Sequence, residues 1–233
     1  LARWGIHLAH AVICRSEDQQ QLLADRYGRQ GNLVRTAFPL SEVLPRERTV
    51  VLWVGRADAV KQPRLFLDLA ERLPEESCVM VLMHDAQHVE EVCLLRERAR
   101  RLSNVRLVGP LSWSEVGSLL VHAKVLVNTS VYEGFPNTFV QAALAHTPVA
   151  SLHVDPDGVL SHDILGFCVG GDQALLVDRV RGLCRHHESR DALGQRACDY
   201  AENHHNLAAV IGTLKTVLRK PVLGSAGAHA YSV

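Results

Sequence analysis

The 233-residue chain has no surplus of charge of either sign, because its 25 Lys and Arg residues are balanced by 25 Asp and Glu residues. Without a basic surplus, it is not expected to hold nucleic acid or anionic lipid through a broad electrostatic field. It also has no apolar run near the roughly 20 residues that a membrane helix requires. We therefore expect no transmembrane segment and no nucleic-acid partner, while peripheral membrane association stays open.

The sequence also lacks the usual cysteine and leader signals. Its six cysteines form no C-x-x-C pair, and most lie in apolar stretches, where a reduced thiol is the usual state. The thirteen histidines have no cysteine or acid at the spacing of a zinc site, so no metal site is predicted. The first 16 residues show no cleavage pattern of a signal peptide, which favours a reducing, cytoplasmic location. Because residue 1 is Leu and not Met, we expect a piece of a longer protein.

Short apolar runs alternate with longer stretches of helical period over most of the chain. The predicted strands are 50–54, 78–83, 105–108, 124–128, 148–152 and 167–169, and the predicted helices are 62–73, 86–102, 112–123, 137–146, 172–187, 189–205 and 207–220. Nearly continuous apolar strands joined by single helices indicate a parallel sheet that is covered on both faces. The pattern predicts the α/β class, with a Rossmann-like doubly wound domain over 46–220 and a flexible tail at 221–233.

Residues 1–45 follow the same alternation less completely, with strands at 10–16 and 32–38 and a helix at 17–28. Ser16 precedes two acids, which is typical of a helix start. A single strand–helix–strand unit cannot bury itself alone, so it either extends the main sheet or ends a preceding domain. We favour the second, because Pro39 and Pro45 bracket a polar hinge.

One predicted ligand site lies at the end of strand 50–54. Ligands of open parallel sheets bind at the carboxyl ends of the strands. Here Gly55 permits a sharp turn, Arg56 and Lys61 flank a short loop, and Pro63 suits the first turn of a helix. Two cations beside a helix start suit a diphosphate. The alternative without a function is that both are solvated charges of a loop.

The second predicted site is the stretch "VYEGFPNTFVQAALAHTPVAS", where Glu133 and Gly134 make a turn into a helix. The helix start attracts an anion, and the carboxylate then requires a partner rich in hydroxyls, so a sugar attached to a phosphate fits both. Alternatively, Glu133 only accepts hydrogen bonds from its own turn. A hydrolase pair is disfavoured, because Gln141 is not an acid and a rise of about 12 Å along the helix exceeds glycosidase spacings.

Three motifs occur in a characteristic order: "VGRADAVKQP", "NVRLVGPL" and the stretch quoted above. Together they resemble the nucleotide-sugar half of the GT-B retaining glycosyltransferases of family 4, over about residues 50–172. The resemblance implies the C-terminal half of a GT-B fold, no cofactor, no metal, and a nucleotide diphosphate sugar as donor, with UDP or GDP favoured. It implies that Arg56 and Lys61 hold the diphosphate and that Glu133 contacts the sugar, as catalytic residues. The donor-binding residues that it implies are Gly55, Gly109, Leu111, Gly134, Phe135, Asn137, Thr138 and Gln141.

The chain departs from the family pattern at several positions. Gln141 stands where the family has a second acid for the ribose; its amide can still form hydrogen bonds, so we expect altered donor affinity and not a dead site. His146 stands where a glycine usually closes the helix, and a left-handed conformation there costs about 1 kcal/mol. His84 and Asp85 replace a glycine-rich turn and would narrow that edge of the pocket.

The largest departure is that most of the family's N-terminal, acceptor-binding domain is absent from the sequence. Catalysis in this fold depends on closure of two domains, so we expect the chain alone to bind donor weakly and to transfer poorly. The expected reaction is transfer of a sugar, with retention, to a sugar, a lipid-linked or another acceptor held by the missing domain. The alternatives are a non-catalytic nucleotide-sugar-binding module and an epimerase or phosphorylase of the same architecture.

Overall fold

The computed structural model describes residues 2–38, 46–83 and 87–219. The predicted hinge between Pro39 and Pro45, the turn with His84 and Asp85, and the tail 221–233 lie outside the described residues. Within those residues, none of the helices has the length and apolar character needed to span a bilayer.

The N-terminal segment contains α1 (Ala2–Leu8), β1 (Ile13–Cys14), α2 (Glu17–Tyr27) and β2 (Asn32–Leu33). The strand predictions 10–16 and 32–38 are too long, because β1 and β2 pair only with each other and Ser16 already caps α2, accepting the N–H of Gln19. Helix α1 is not predicted by the sequence. The guanidinium of Arg29 donates to carbonyl oxygens at the end of this helix, and because these contacts join residues 20 to 23 positions apart, no local sequence pattern indicates them.

A six-stranded sheet forms the body of the protein. Its strands are β3 (Val50–Gly55), β4 (Ser77–Leu82), β5 (Val105–Val108), β6 (Ala123–Asn128), β7 (Val149–Ser151) and β8 (Gly166–Cys168). They are parallel and lie in the order β5-β4-β3-β6-β7-β8, so the strand order reverses between β3 and β6. This is the strand order of a doubly wound fold, and it confirms the predicted fold class.

Helices connect the strands and cover both faces of the sheet. They are α3 (Pro63–Glu71), α4 (Val89–Arg100), α5 (Trp113–Leu120), α6 (Asn137–Leu144), α7 (Gln173–Arg185), α8 (His187–His204) and α9 (Leu207–Arg219), with a short 3₁₀ turn at Pro156–Gly158. Successive side chains of each strand enter opposite core clusters: Trp53 and Met80 lie in one, Leu52 and Val81 in the other. The central strands are therefore apolar along their whole length because both faces are buried.

The N-terminal segment is attached to the body through Asp157. The Oδ1 atom of Asp157 accepts the backbone N–H groups of Glu17 and Asp18 at the start of α2, at 2.8 and 3.2 Å. Its Oδ2 atom lies 2.6 Å from the guanidinium of Arg35, and the two side chains are only 5% and 9% exposed. The β1–β2 pair stays separate from the six-stranded sheet among the described residues, and the domain boundaries 1–45 and 46–220 remain predictions.

The end of α6 confirms the expectation for His146, which has a φ of 53° in the left-handed region. The buried guanidinium of Arg48 donates to the carbonyl oxygens of Ala145 and His146, at 3.1 and 2.7 Å. A cation at this position stabilises the negative end of the helix dipole. Arg48 therefore compensates for the strain of a non-glycine residue at the end of α6.

Candidate functional site

A cavity of about 350 Å³ lies at the carboxyl ends of β3 and β6, where the strand order of the sheet reverses. Its lining residues are Arg15, Gln19, Arg56, Val60, Lys61, Glu133, Gly134, Phe135, Pro136 and Asn137. Open parallel sheets bind their ligands at this position. The fold thus brings the two sites predicted from the sequence into one cavity.

Glu133 is held in the cavity by two contacts. Its Oε1 atom accepts a hydrogen bond from the Nδ2 of Asn128 at 2.9 Å, and its Oε2 atom lies 2.7 Å from the Nζ of Lys61. The Asn128 contact agrees with the alternative that Glu133 bonds within its own turn, whereas the Lys61 contact crosses from the β6 loop to the β3 loop. Both side chains are largely buried, Lys61 at 22% and Glu133 at 17% exposure, so the pair is only partly screened by water.

The loop that carries Lys61 is held in place by hydrogen bonds that lead to the buried side chain of Trp53. The indole N–H of Trp53 donates to the Oγ1 of Thr129 at 2.9 Å, and that hydroxyl donates to the carbonyl oxygen of Lys61 at 2.7 Å. The N–H of Val131 donates to the carbonyl oxygen of Val60 at 2.8 Å. These bonds join the ends of β3 and β6, so the spacing between Lys61 and Glu133 is set by the core.

Arg56 is more loosely held than Lys61. Its guanidinium lies 2.8 Å from the carboxylate of Asp58, and its side chain is 60% exposed. The other oxygen of Asp58 accepts the backbone N–H of Lys61 at 2.9 Å. Arg56 therefore lines the cavity, and its exposed side chain also agrees with the alternative interpretation that it is a solvated loop charge.

Helix α6 begins at the floor of the cavity. Pro136 occupies its N-cap position and provides no side-chain acceptor for the first N–H groups of the helix, and both Pro136 and Asn137 line the cavity. The ring of Phe135 is buried against the imidazole of His205, with ring centroids 4.9 Å apart. A Cβ atom at Gly134 would lie 2.4 Å from the Nε2 of Gln19, so a side chain at this position would displace Gln19.

Two cavity residues come from the N-terminal segment and are missed by the sequence reasoning. The guanidinium of Arg15 donates to the Oδ1 of Asn137 at 2.5 Å and to the hydroxyl of Thr36. The Oε1 of Gln19 accepts the backbone N–H of Arg15 at 2.8 Å. A signal was present, because Arg15 directly follows β1 and precedes the cap of α2, which is the same strand-end position that identifies Arg56.

Gln141 and Thr138, both predicted donor-binding residues, lie on α6 but do not line the cavity among the described residues. The amide nitrogen of Gln141 lies 3.4 Å from the carbonyl oxygen of Trp113. Its Oε1 atom is buried without a hydrogen-bond partner in the described part of the chain. The ribose contact of Gln141 stays a prediction, and a buried acceptor without a partner is compatible with it.

Gly55, Gly109 and Leu111 also lie outside the cavity wall that the structure describes. A Cβ atom at Gly55 would lie 2.7 Å from the ring of Trp53, and one at Gly109, where φ is 128°, would lie 2.3 Å from the carbonyl oxygen of Leu82. Leu111 packs against the core. The two glycines are thus explained by packing, and the donor-binding role of all three residues stays a prediction.

The titratable group most altered by burial beside the site is His205. Burial lowers the pKa of His205 to about 4, while its Nδ1 donates to the carbonyl oxygen of Thr36 at 2.7 Å. Its Nε2 has no partner among the described residues. Over the same residues, no group of three or more His, Cys, Asp or Glu side chains is placed to hold a metal ion.

Comparison with known proteins gives one family match. Residues 48–186 match the family described as "Glycosyl transferases group 1". That range contains Arg56, Lys61 and Glu133. No curated protein sequence matches the chain significantly.

Solved structures resemble the chain at low sequence identity. TarM of S. aureus, a mutant in a complex that contains UDP, gives a TM-score of 0.78 at 15% identity over 93% of this chain and 45% of its own. Sucrose-phosphate synthase of Thermosynechococcus elongatus gives 0.79 at 21% identity over 94% and 60%. Anabaena Alr3699/HepE, in a complex with UDP and glucose, gives 0.77 at 18% over 93% and 65%. The chain thus spans about half to two thirds of their lengths, and the likeness supports the fold.

Proposed function

Since the chain belongs to the glycosyl transferases group 1 family, we propose that it provides the donor-binding part of a glycosyltransferase that uses a nucleotide diphosphate sugar. The observation that carries this proposal is the cavity in which Lys61 and Glu133 meet at 2.7 Å beside the start of α6. A diphosphate requires cations and free N–H groups, and a sugar requires a hydrogen-bond acceptor for its hydroxyls. This cavity offers both within one volume.

The chemistry that we propose is departure of the diphosphate, followed by attack of the acceptor on the same face of the sugar, so that the configuration is retained. Lys61, Arg56 and the dipole of α6 would stabilise the negative charge that develops on the leaving diphosphate. Glu133 would orient the sugar through its hydroxyls and stabilise positive charge at the reacting carbon. Lys61 holds Glu133 in place, and an arriving phosphate would share Lys61 with it.

The identity of the donor and acceptor is also a proposal. The S. aureus and Anabaena proteins were solved in complexes with UDP, which makes uridine nucleotides the first donors to test. Because the chain spans only part of the length of these proteins, we propose that the acceptor is bound mainly by a domain outside this sequence. We also propose that the protein is located in a reducing compartment such as the cytoplasm, and its six free cysteines support this location.

The test is calorimetric titration of the chain with UDP, GDP and ADP and with their common sugar conjugates. We expect one nucleotide to bind and the Arg56→Ala, Lys61→Ala double variant to lose it. A matched control, Arg106→Ala with Lys215→Ala, removes one Arg and one Lys from exposed positions outside the cavity and should bind as the wild type does. Equal binding by the double variant, or no binding of any nucleotide at millimolar concentration, would overturn the proposal for this chain.

A further inference from the structure

We infer that Arg15, from the N-terminal segment, is a third cation of the donor site and binds the diphosphate group of the nucleotide sugar. This inference rests on the proposed function and extends it to a residue outside the range that matches the family, 48–186. Arg15 lines the same cavity as Arg56, Lys61 and Glu133. The site is therefore built from three separate parts of the chain, one of which is the N-terminal segment.

Arg15 differs from the other two cations of the cavity in the groups to which it is bonded. Lys61 is paired with the carboxylate of Glu133, and Arg56 is paired with that of Asp58. The described residues provide no carboxylate for Arg15, whose guanidinium donates only to the neutral oxygens of Asn137 and Thr36. An anion can thus replace neutral acceptors at Arg15 without having to displace a negative charge.

The position of Arg15 favours an anion for a second reason. Asn137, which it contacts, is the first residue of α6, so the guanidinium lies at the positive end of the helix dipole. The full positive charge of the guanidinium and the partial positive charge of the helix end converge there, and an anion between them would relieve their repulsion. A guanidinium also presents paired N–H groups that match two phosphate oxygens at once.

The backbone that carries Arg15 is held in place. Its N–H donates to the Oε1 of Gln19 at 2.8 Å, and the next residue, Ser16, is 1% exposed and caps α2. The start of α2 is tied to the body of the protein through the carboxylate of Asp157. Because the backbone is fixed, only the end of the Arg15 side chain has to reorient to reach a phosphate.

The test compares a ligand with phosphates and one without. UDP affinity is measured by calorimetry and uridine affinity by ligand-detected NMR, for the wild type and for Arg15→Ala, Arg15→Lys and Arg26→Ala. Arg26 is an exposed arginine of the same N-terminal segment, on α2, and does not line the cavity. We expect Arg15→Ala to weaken UDP binding by about tenfold or more, the usual effect of losing a hydrogen bond to a charged group.

Uridine affinity should change less than about twofold in Arg15→Ala, Arg15→Lys should bind UDP with intermediate affinity, and Arg26→Ala should bind both ligands as the wild type does. Equal losses of UDP and uridine in Arg15→Ala would overturn the inference, because Arg15 would then only support the start of α6. Unchanged UDP binding in Arg15→Ala, with loss in the Arg56 and Lys61 double variant, would overturn it while leaving the proposed function intact. Absence of UDP, GDP and ADP binding in the wild type would overturn both.

Discussion

Replacement of Gly194 by alanine should destabilise the protein, whereas the same change at Gly182 should stabilise it. Both glycines lie inside helices, α8 and α7, so each alanine gains about 1 kcal/mol of helix propensity. At Gly182 a Cβ atom would meet nothing within 4 Å. At Gly194 it would lie 2.2 Å from the carbonyl oxygen of His146 and 2.9 Å from the carbonyl carbon.

The clash at Gly194 involves backbone on both sides, so no side chain can rotate away. A carbon–oxygen contact is normally about 3.3 Å, so α8 would have to move from the end of α6 by about 1 Å. The same carbonyl oxygen accepts the guanidinium of Arg48 at 2.7 Å, which opposes that movement. Overpacking of this kind costs about 1–3 kcal/mol. After subtraction of the propensity gain, we expect Gly194→Ala to be less stable than wild type by about 1 kcal/mol and Gly182→Ala to be more stable by about 0.5–1 kcal/mol.

Urea unfolding of the two variants and the wild type measures the difference. The midpoints should move in opposite directions with an unchanged dependence on urea concentration, since neither change alters the surface exposed on unfolding. If the two variants had free energies of unfolding within about 0.5 kcal/mol of each other, the reasoning from the contact between α6 and α8 would be wrong.

Three further predictions concern the site and the attachment of the N-terminal segment. Glu133→Gln should keep or raise the affinity for UDP, because Lys61 loses its carboxylate partner, and should lower the affinity for UDP-glucose about tenfold. Asp157→Asn should lower the free energy of unfolding by about 1–2 kcal/mol, because the buried guanidinium of Arg35 then keeps only the exposed carboxylate of Glu17 as a charged partner. Because burial lowers the pKa of His205 from 6.5 to about 4, the unfolded state binds more protons between these values, and the free energy of unfolding should fall as pH drops from about 6.5 to 4, by about 3 kcal/mol.

Each of these predictions has its own control. Equal losses of UDP and UDP-glucose in Glu133→Gln would contradict a sugar contact. The control Asp178→Ala breaks an exposed pair with Arg181 and should change the free energy of unfolding by less than about 0.5 kcal/mol. If Asp157→Asn changed the free energy of unfolding equally little, the buried pair of Asp157 with Arg35 would not stabilise the attachment of the N-terminal segment. His205→Gln keeps a donor for Thr36 without titrating, and its stability should depend less on acid than that of the wild type.

The strands of the main sheet could be predicted from the sequence to within a residue or two. Strands such as β3 and β4 are buried on both faces, and this produces continuous apolar runs that hardly any other element shows. The left-handed end of α6 could also be predicted, because the resemblance placed His146 at a position that glycine usually occupies. These features depend on local sequence alone.

The structure of the N-terminal segment could not be predicted from local sequence, because it depends on contacts between residues distant along the chain. Helix α1 ends on the side chain of Arg29, and α2 begins on the carboxylate of Asp157, which is about 140 residues away along the chain. The same limit applies to the site. Arg56, Lys61 and Glu133 follow strands of the main sheet and could be predicted, whereas the presence of Arg15 in the cavity depends on how the N-terminal segment packs against α6.

The ion pairs of Lys61 and Arg56 also affect how well small anions bind at these two cations. A chloride or inorganic phosphate ion that approaches Lys61 competes with a carboxylate already 2.7 Å away, and at Arg56 with one 2.8 Å away. Displacing either carboxylate leaves it without a cation, so a simple anion gains little by the exchange. A molecule that brings an anion together with hydroxyl groups can satisfy the released Glu133 as well. At Lys61 and Arg56, simple anions are therefore disfavoured relative to a ligand that carries both an anion and hydroxyl groups.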